Sequence, residues 1–296
     1  MVSPKRPLAS IVISNFNGKD MLRECLNSLM NLNYPRFEVV VVDAGSTDGA
    51  PEMVQADFPS VRLVRREKIG IGEALNVGLS QSRGEVIVFD LNNDDAVSPD
   101  WLDHLVDALI SSPDIGVVCG KRYLADTDKL DSAGSKIVLG VTLGRGHGKP
   151  DSGRYDSSVE VDYAPVLATR RDVLERVGPL DESYYIYGED VDFSLRARKA
   201  GYKVVYVPEA IFRHMHSATI GEWTPARLRY LTRSRIRLIV KHYPLYQKLP
   251  LLLLHLSVIP VFYVFFYTYL ARGRFIEFVK AQLGAFKWNW GLLRKR

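Results

Sequence analysis

Glu85-Val86-Ile87-Val88-Phe89 runs straight into Asp90-Leu91-Asn92-Asn93-Asp94-Asp95, an apolar β-branched run closed by an acidic loop. The same juxtaposition occurs twice upstream. Ser10-Ile11-Val12-Ile13 closes into Ser14-Asn15-Phe16-Asn17-Gly18, and Phe37-Glu38-Val39-Val40-Val41-Val42 ends at Asp43-Ala44-Gly45-Ser46-Thr47-Asp48-Gly49. Near-continuous apolar runs of this length read as parallel strands covered on both faces. Between them lie helical periodicities, Met21, Leu22, Cys25, Leu26 and Leu29 in one segment and Leu75 and Leu79 in another, with a further strand at 61–64. Strands alternating with helices predict an α/β fold with an open, Rossmann-like, mostly parallel sheet, and in such sheets ligands bind outside the carboxyl ends of the strands. Three polar loops are therefore expected to converge on one crevice.

Downstream the pattern changes. Residues 117–166 lose helical period and are rich in Gly and Asp, so they read as irregular strands and loops. Helical signals return at 170–177 and 190–199, the latter stopped by Gly201, and a last strand is expected at 203–207.

A chain of 296 residues, 47% hydrophobic and 25% charged, can bury a sizeable core and sits near the size at which one core divides. One main domain with an appendage is expected. The net charge of +5 is modest, but Lys and Arg become dense after Arg227, which points to a local anionic surface and away from nucleic acid. Only Cys25 and Cys119 occur, at no zinc or disulfide spacing, and the first residues carry no apolar signal segment, so a reducing cytoplasmic setting is expected.

Two acidic segments are chemically suggestive. A hard divalent cation, magnesium or manganese, needs only one or two carboxylates beside phosphate oxygens and water, so Asp94 with Asn92, Asp90 or Asp95 nearby is a sufficient anchor. Asn and Asp also favour turns and caps, so a plain turn ahead of a helix near Pro99 reads equally well from these residues alone. Gly188-Glu189-Asp190-Val191-Asp192 puts three carboxylates in the first turn of a helix, where the dipole stabilises negative charge. Three exceed what a cap needs, and Tyr184-Tyr185-Ile186-Tyr187 beside them suits a sugar face; a fixed carboxylate there can act as a general base. His214, after the last strand, faces the same crevice.

Taken together, the Ile-Val-Ile-Ser-Asn-Phe-Asn opening, the strand ending Val-Asp-Ala-Gly-Ser-Thr-Asp, Leu-Asn-Asn-Asp-Asp, Tyr-Gly-Glu-Asp-Val-Asp-Phe-Ser-Leu-Arg, and Pro-Glu-Ala followed by His214 resemble family 2 glycosyltransferases of the GT-A fold, in particular rhamnosyltransferase-like members. The resemblance runs from about Leu8 to Gly221. It implies an inverting displacement from a nucleotide-sugar donor (UDP, dTDP or GDP) to a saccharide acceptor. It also implies that Ser14, Asn15 and Phe16 line the nucleoside pocket, that Asp43 contacts the base and that Asn76 lies beside it. Asn92 and Asp94 match the two ends of the family's Asp-x-Asp metal motif, His214 a further metal ligand and Asp190 the catalytic base; Glu189, Asp151 and Tyr155 are acceptor-side candidates. Two departures are Ser14-Asn15 where Pro-Thr is common, and Asn92 for the motif's first Asp.

Residues 249–270 form an apolar run of about 20 residues, enough to cross a hydrocarbon core of roughly 30 Å, though His255 and Pro260 interrupt it. Basic residues flank both sides, from Arg227 to Lys241 and from Arg272 to Arg296, so orientation is not set by charge. The expected organisation is a catalytic domain at 1–221, a basic helical linker at 222–248 and membrane-associated helices at 249–296. A re-entrant or interfacial hairpin broken near Pro260, with its basic flanks on the cytoplasmic face of the membrane, is the favoured form, with a single spanning helix as the alternative. Such a tail suits a lipid-linked acceptor; the rival functions are a polyprenyl-phosphate sugar synthase and a non-catalytic nucleotide-sugar-binding scaffold.

Overall fold

The structure is a computed structural model that describes residues 6–124, 127–215, 224–270 and 274–293. Arg272 and the terminal Arg294, Lys295 and Arg296 of the basic flank lie outside the described residues.

The first part of the chain alternates as expected: β1 (Ala9–Asn15), α1 (Lys19–Met30), β2 (Phe37–Asp43), α2 (Ala50–Asp57), β3 (Arg62–Arg65), α3 (Ile71–Gln81), β4 (Val86–Asn92). It continues with β5 (Asp95–Val97), α4 (Trp101–Ser111), β6 (Ile115–Leu124), β7 (Leu130–Ala133), β8 (Ser135–Val138), β9 (Val141–Gly144), β10 (Val159–Glu160) and β11 (Leu167–Arg170). Then come α5 (Arg171–Val177), α6 (Glu189–Lys199) and β12 (Lys203–His214). The main sheet runs β10-β12-β6-β11-β4-β1-β2-β3. Its β1–β2, β2–β3, β1–β4 and β6–β12 pairs are parallel, and β11 runs antiparallel between β4 and β6.

Alternation along each strand supplies two cores. Ile11, Ile13, Val39, Val41 and Val88 point to one face, where Leu22, Leu26 and Leu29 of α1 and Trp101 and Leu105 of α4 cover them. Val12, Val40, Val42, Ile87 and Phe89 point to the other, under Leu75 and Leu79 of α3 and Phe193 and Ala197 of α6. Burying both faces is why these strands read as unbroken apolar runs, each fully buried Val, Leu, Ile or Phe contributing roughly 1.5–3 kcal/mol. The chain ends of these strands gather the acidic loops on one edge.

The region expected to be irregular holds a ten-residue strand, β6, and four shorter ones. Lys121, Arg122 and Tyr123 hid the strand, because charges inside a strand are tolerated only when partners at a distance in sequence compensate them. The last strand is also longer than 203–207. Val207 pairs with Gly120 and Ile211 with Lys121, so Pro208, Glu209 and Ala210 have no counterpart on β6. The bulge accommodates the proline that reads as a strand stop, and pairing resumes to His214.

Residues Val138–Val141, Tyr184–Gly188 and the described residues from 224 on form a second compact unit. It contains α7 (Pro225–His242), α8 (Leu245–Leu256), α9 (Val258–Leu270) and α10 (Phe275–Leu293), so the basic segment joins the tail helices as their neighbour. Thr224 caps α7, its hydroxyl accepting from Arg227 N at 3.2 Å, and Leu228 packs with Val264, Tyr267 and Phe278. Leu245–Leu270 is the one run among the described residues long and apolar enough to cross a membrane, and Leu249, Leu253, Phe262 and Phe265 on it are exposed. The break falls at Ser257, not at Pro260; the proline occupies the first turn of α9, where its missing N–H leaves no intrahelical bond unmade.

Gly120 couples the sheet to the position of His214. A Cβ built there would meet the Ala210 carbonyl oxygen at 2.0 Å, which is backbone within the bulge that sets the register of His214. Gly120→Ala is expected to lower stability by about 1–3 kcal/mol in thermal unfolding, the range for overpacking a closed site.

Candidate active site

The loops after β1, β2 and β4 are joined through Asn15, which is 2% exposed. Its Nδ2 donates to Asp43 Oδ2 (2.9 Å) and Ser46 Oγ (3.2 Å), and its Oδ1 accepts from Asn93 Nδ2 (2.7 Å). Asp43, equally buried, also accepts from Ser46 Oγ (2.6 Å), Ser46 N (2.9 Å) and Gly45 N (3.2 Å). Asn15 and Asp43 are paired partners in the β1–β2 ladder, so the ladder register dictates this bond. Ser14, half-buried, sits opposite Asn92 in the β1–β4 register, and the half-buried ring of Phe16 lies 5.1 Å from Lys68 Nζ.

The acidic cluster is built by a second piece of register. β5 pairs antiparallel with the end of β12, setting Asp95 opposite His214, and Met215 N donates to Asp94 O at 2.7 Å. Asp95, with no side-chain exposure, accepts from Arg122 Nη2 (2.8 Å) and Nε (3.2 Å) on Oδ1 and from Asn92 N (3.0 Å) on Oδ2. Arg122 Nε also lies 3.4 Å from Asp131 Oδ2. His214 Nδ1 lies 3.0 Å from Asp95 Oδ1, 2.5 Å from Arg122 Nη2 and 3.4 Å from Asp94 Oδ1.

The surroundings shift the two adjacent aspartates in opposite directions. Burial works to raise the Asp95 carboxyl, but Arg122 and His214 overcome it and hold Asp95 below the usual carboxylate range. Asp94 is raised by burial; His214 opposes that, Asp95 adds to it, and Arg122 is too weak to reverse it. Asp94 is 7% exposed, and its nearest cationic partner, at 3.4 Å, is too long for a good hydrogen bond. Asp94, Asp95 and His214 each offer a ligand atom within 4.8 Å of the others. Asp95 is already engaged on both oxygens, so Asp94 and His214 are the donors that fit a divalent cation. The tautomer of His214 sets which ring nitrogen would face an ion, because Nδ1 lies against both Asp95 and Arg122.

A third group of acids meets at the end of β4. Asp90 has a left-handed backbone (φ 65°), and its carboxyl is pushed well above the usual range by burial and by the charges of Glu189 and Asp190. Glu189 is 4% exposed and begins α6, with Asp190 and Asp192 in the same turn; Asp192 is held by Arg196 Nε at 2.8 Å. Asp192 therefore serves the helix, and Glu189 and Asp190 are the carboxylates whose charges act on Asp90.

Residues 10–178 match the model of Glycosyl transferase family 2, and residues 164–286 match Glycosyl transferase family group 2. The chain belongs to glycosyl transferase family 2. It is 31% identical to the N-acetylglucosaminyl-diphospho-decaprenol L-rhamnosyltransferase of Mycobacterium tuberculosis, over 71% of this chain and 77% of that protein. It is 32% identical, over 78% of its length, to an uncharacterized protein of Sinorhizobium fredii and 30% identical, over 72%, to the O-antigen biosynthesis protein RfbC of Myxococcus xanthus, but spans only 26% and 18% of those proteins. The mannosyltransferase PcManGT of Pyrobaculum calidifontis, solved with GDP-Man and Mn2+, superposes with a TM-score of 0.59 at 20% identity, over 97% of this chain and 88% of that one. S. aureus TarS with UDP-GlcNAc gives a TM-score of 0.59 at 20% identity, over 83% and 70%. The fold is GT-A.

In this family 2 transferase the sequence-derived residues divide into two sets. Asp94 and His214 are brought together; Ser14, Phe16 and Asn92 keep side chains at the crevice with no hydrogen bond committed elsewhere in the described residues. Asn15 and Asp43 are instead engaged in tying the loops, and a base reaching Asp43 would have to displace one of its bonds. Asn76 is likewise engaged. Its amide donates to Leu180 O (2.9 Å) and Glu182 Oε1 (3.0 Å) and accepts from Leu180 N (2.9 Å), which staples α3 to the 180–182 loop.

Asp151 is held by Lys121 Nζ (2.9 Å) and Tyr123 OH (2.6 Å), and Tyr155 by the Arg145 guanidinium 5.6 Å from its ring. Lys121 and Tyr123 lie on the face of β6 opposite Arg122, so neither acceptor candidate joins the Asp94–His214 cluster. The Tyr123 hydroxyl and Lys121 hold the Asp151 carboxyl low. Sequence reading missed Arg122, Asp131 and Asn93; the available signal was a pair of charges inside an apolar strand, which demands a buried partner.

Arg122→Met should lower the unfolding free energy by about 3–5 kcal/mol in urea denaturation of detergent-solubilised protein, because Asp95 is left buried without its cation. Asp95 contributes stability above the ordinary aspartate pKa of about 3.9, and this is lost as pH falls toward its depressed native value. The gap between wild type and variant should therefore narrow below about pH 4; a gap that widens on acidification would contradict the assignment.

Proposed function

We propose that this chain is an inverting glycosyltransferase that moves a sugar from a nucleoside-diphosphate donor to a hydroxyl of a saccharide carried on a membrane lipid. It works at the cytoplasmic face of the membrane, in polysaccharide or cell-wall synthesis. The observation that carries the reading is the pairing of Asp94 with His214 at the carboxyl ends of the strands, fixed by the Asp95–Arg122 pair. The lipid-linked acceptor is supported by the substrate in the name of the mycobacterial relative and by the exposed apolar surface of α8 and α9.

The donor rests against the β1, β2 and β4 loops. Ser14, Phe16 and Asn92 contact it, while Asn15 and Asp43 keep those loops from yielding. A divalent cation, manganese or magnesium, held by Asp94 and His214 would neutralise the charge of the departing diphosphate. Asp190, fixed at the start of α6, takes the proton from the acceptor hydroxyl as that oxygen attacks the anomeric carbon from the face opposite the leaving group. Burial and the neighbouring charges of Glu189 and Asp190 raise the Asp90 carboxyl beside it. Glu189, Asp151 and Tyr155 are assigned to the acceptor side. The UDP, dTDP and GDP donors differ in the base that would meet Phe16.

Binding of UDP, dTDP and GDP to the full chain in detergent, with and without manganese, tests the reading. One nucleotide should bind with manganese, and Asp94→Ala should weaken it by at least about tenfold, the loss expected for one charge-assisted contact. No nucleotide binding under any condition would overturn the proposal. Asp190→Asn should leave that binding intact and reduce kcat by about 10²–10⁴, the usual contribution of a general base; unchanged turnover would move the base elsewhere.

A further inference from the structure

Arg235, in the middle of α7, is 8% exposed. Its Nε and Nη1 are enclosed and have no hydrogen-bond partner among the described residues, and the guanidinium carbon lies 4.8 Å from the ring of Tyr263 on α9. The attraction of a ring face offsets only part of the cost of removing a guanidinium from water. Unlike a lysine, an arginine cannot shed its charge when buried. A counter-charge is therefore required.

The unit around Arg235 does not supply one. Glu277 is the sole carboxylate among its described residues, and Arg274 Nε holds that carboxylate at 2.9 Å. The surrounding field is positive: Arg229, Arg233 and Arg237 follow one another at one-turn spacing on α7, an arrangement that disfavours an isolated helix. Burial, reinforced by Arg229 and Arg237, lowers the Arg233 pKa to about 10.

We propose that Arg235 anchors a phosphate-binding site in this helical unit, and that its ligand is the phosphate of a membrane lipid. A guanidinium fork matches two phosphate oxygens, which a ring face cannot replace. The position indicates the source. Tyr263, which touches Arg235, belongs to the exposed apolar run Leu245–Leu270, and α7 enters that run through Tyr243 and Pro244, so the guanidinium lies where an apolar surface meets a basic one. Two lipids offer this chemistry, an anionic phospholipid and the diphosphate of a lipid-linked acceptor. The choice of a lipid source rests on the membrane reading under the proposed function; the need for an anion does not.

The test uses the full chain in neutral detergent, comparing wild type, Arg235→Met and Arg235→Lys by thermal unfolding with added phosphatidylglycerol, polyprenyl diphosphate or phosphatidylcholine. Without lipid, Arg235→Met should unfold at or above the wild-type temperature, because it removes an uncompensated charge. An anionic lipid should raise the wild-type Tm, and the lipid concentration needed should rise by at least about tenfold in Arg235→Met, with Arg235→Lys between them. A response to polyprenyl diphosphate at concentrations where phosphatidylglycerol is silent assigns the site to the acceptor; equal responses assign it to bilayer phosphate. Equal lipid response in wild type and Arg235→Met, or a less stable Arg235→Met without lipid, overturns the proposal. Nucleotide binding in the same samples keeps the two readings apart: its loss in wild type defeats the transferase reading, whereas the lipid response decides Arg235 independently.

Discussion

The buried pair between Arg122 and Asp95 is the constraint on which the site depends. A guanidinium enclosed in the strand β6 must be compensated, and it draws Asp95 from β5, Asp131 from β7 and the ring of His214 from the end of β12 to one point. No two of these residues lie on the same element. The pair also decides which aspartate carries structural charge. Asp95 is stabilised as the anion, and its neighbour Asp94, one residue away, is left buried and under-compensated. A carboxylate in that condition is suited to a cation, which would offset the cost of its burial.

A similar division governs the donor loops. Asn15, Asp43, Asn76 and Asn93 have the side chains one would choose to recognise a nucleotide, yet most of their hydrogen-bonding capacity is taken by one another or by backbone. Loops that lie against a ligand leave their backbone short of partners, and amides and carboxylates from neighbouring strands fill the gap. Under the proposed function the half-buried Ser14, Phe16 and Asn92 would meet the donor from a floor already fixed by these bonds.

Local and distant partners also separate what was legible in the sequence from what was not. Strands β1, β2 and β4 were legible because both faces are covered, so their apolar runs are unbroken; α1 and α6 were legible because their periodicity and caps are local. Asp94 and His214 were legible as chemistry, but nothing local distinguishes Asp94 from Asp95; the distinction comes from Arg122, 27 residues away in sequence. Strand β6 was obscured by those same charges. Pro208 concealed the rest of β12 because a bulge leaves no mark in composition, and Pro260 suggested a break that lies at Ser257 because proline in a first turn is compatible with a helix.

The distribution of charge between the two compact units obeys the same rule that buried charge must be matched. In the first unit carboxylates crowd together, Asp90 with Glu189 and Asp190, Asp94 with Asp95, and the enclosed Arg122 is matched by Asp95. In the second, Glu277 stands alone among the described residues against the arginines of α7. A folded chain that keeps an excess of acid in one place and an excess of base in another, each partly enclosed, carries an electrostatic cost in both. Under the proposed function, ligands of the opposite sign would relieve each cost separately: a divalent cation where the carboxylates gather, and an anionic group on an apolar carrier where the arginines adjoin exposed leucines and phenylalanines. On that reading a substrate that is at once a sugar and a lipid phosphate would satisfy the second demand without competing for the first.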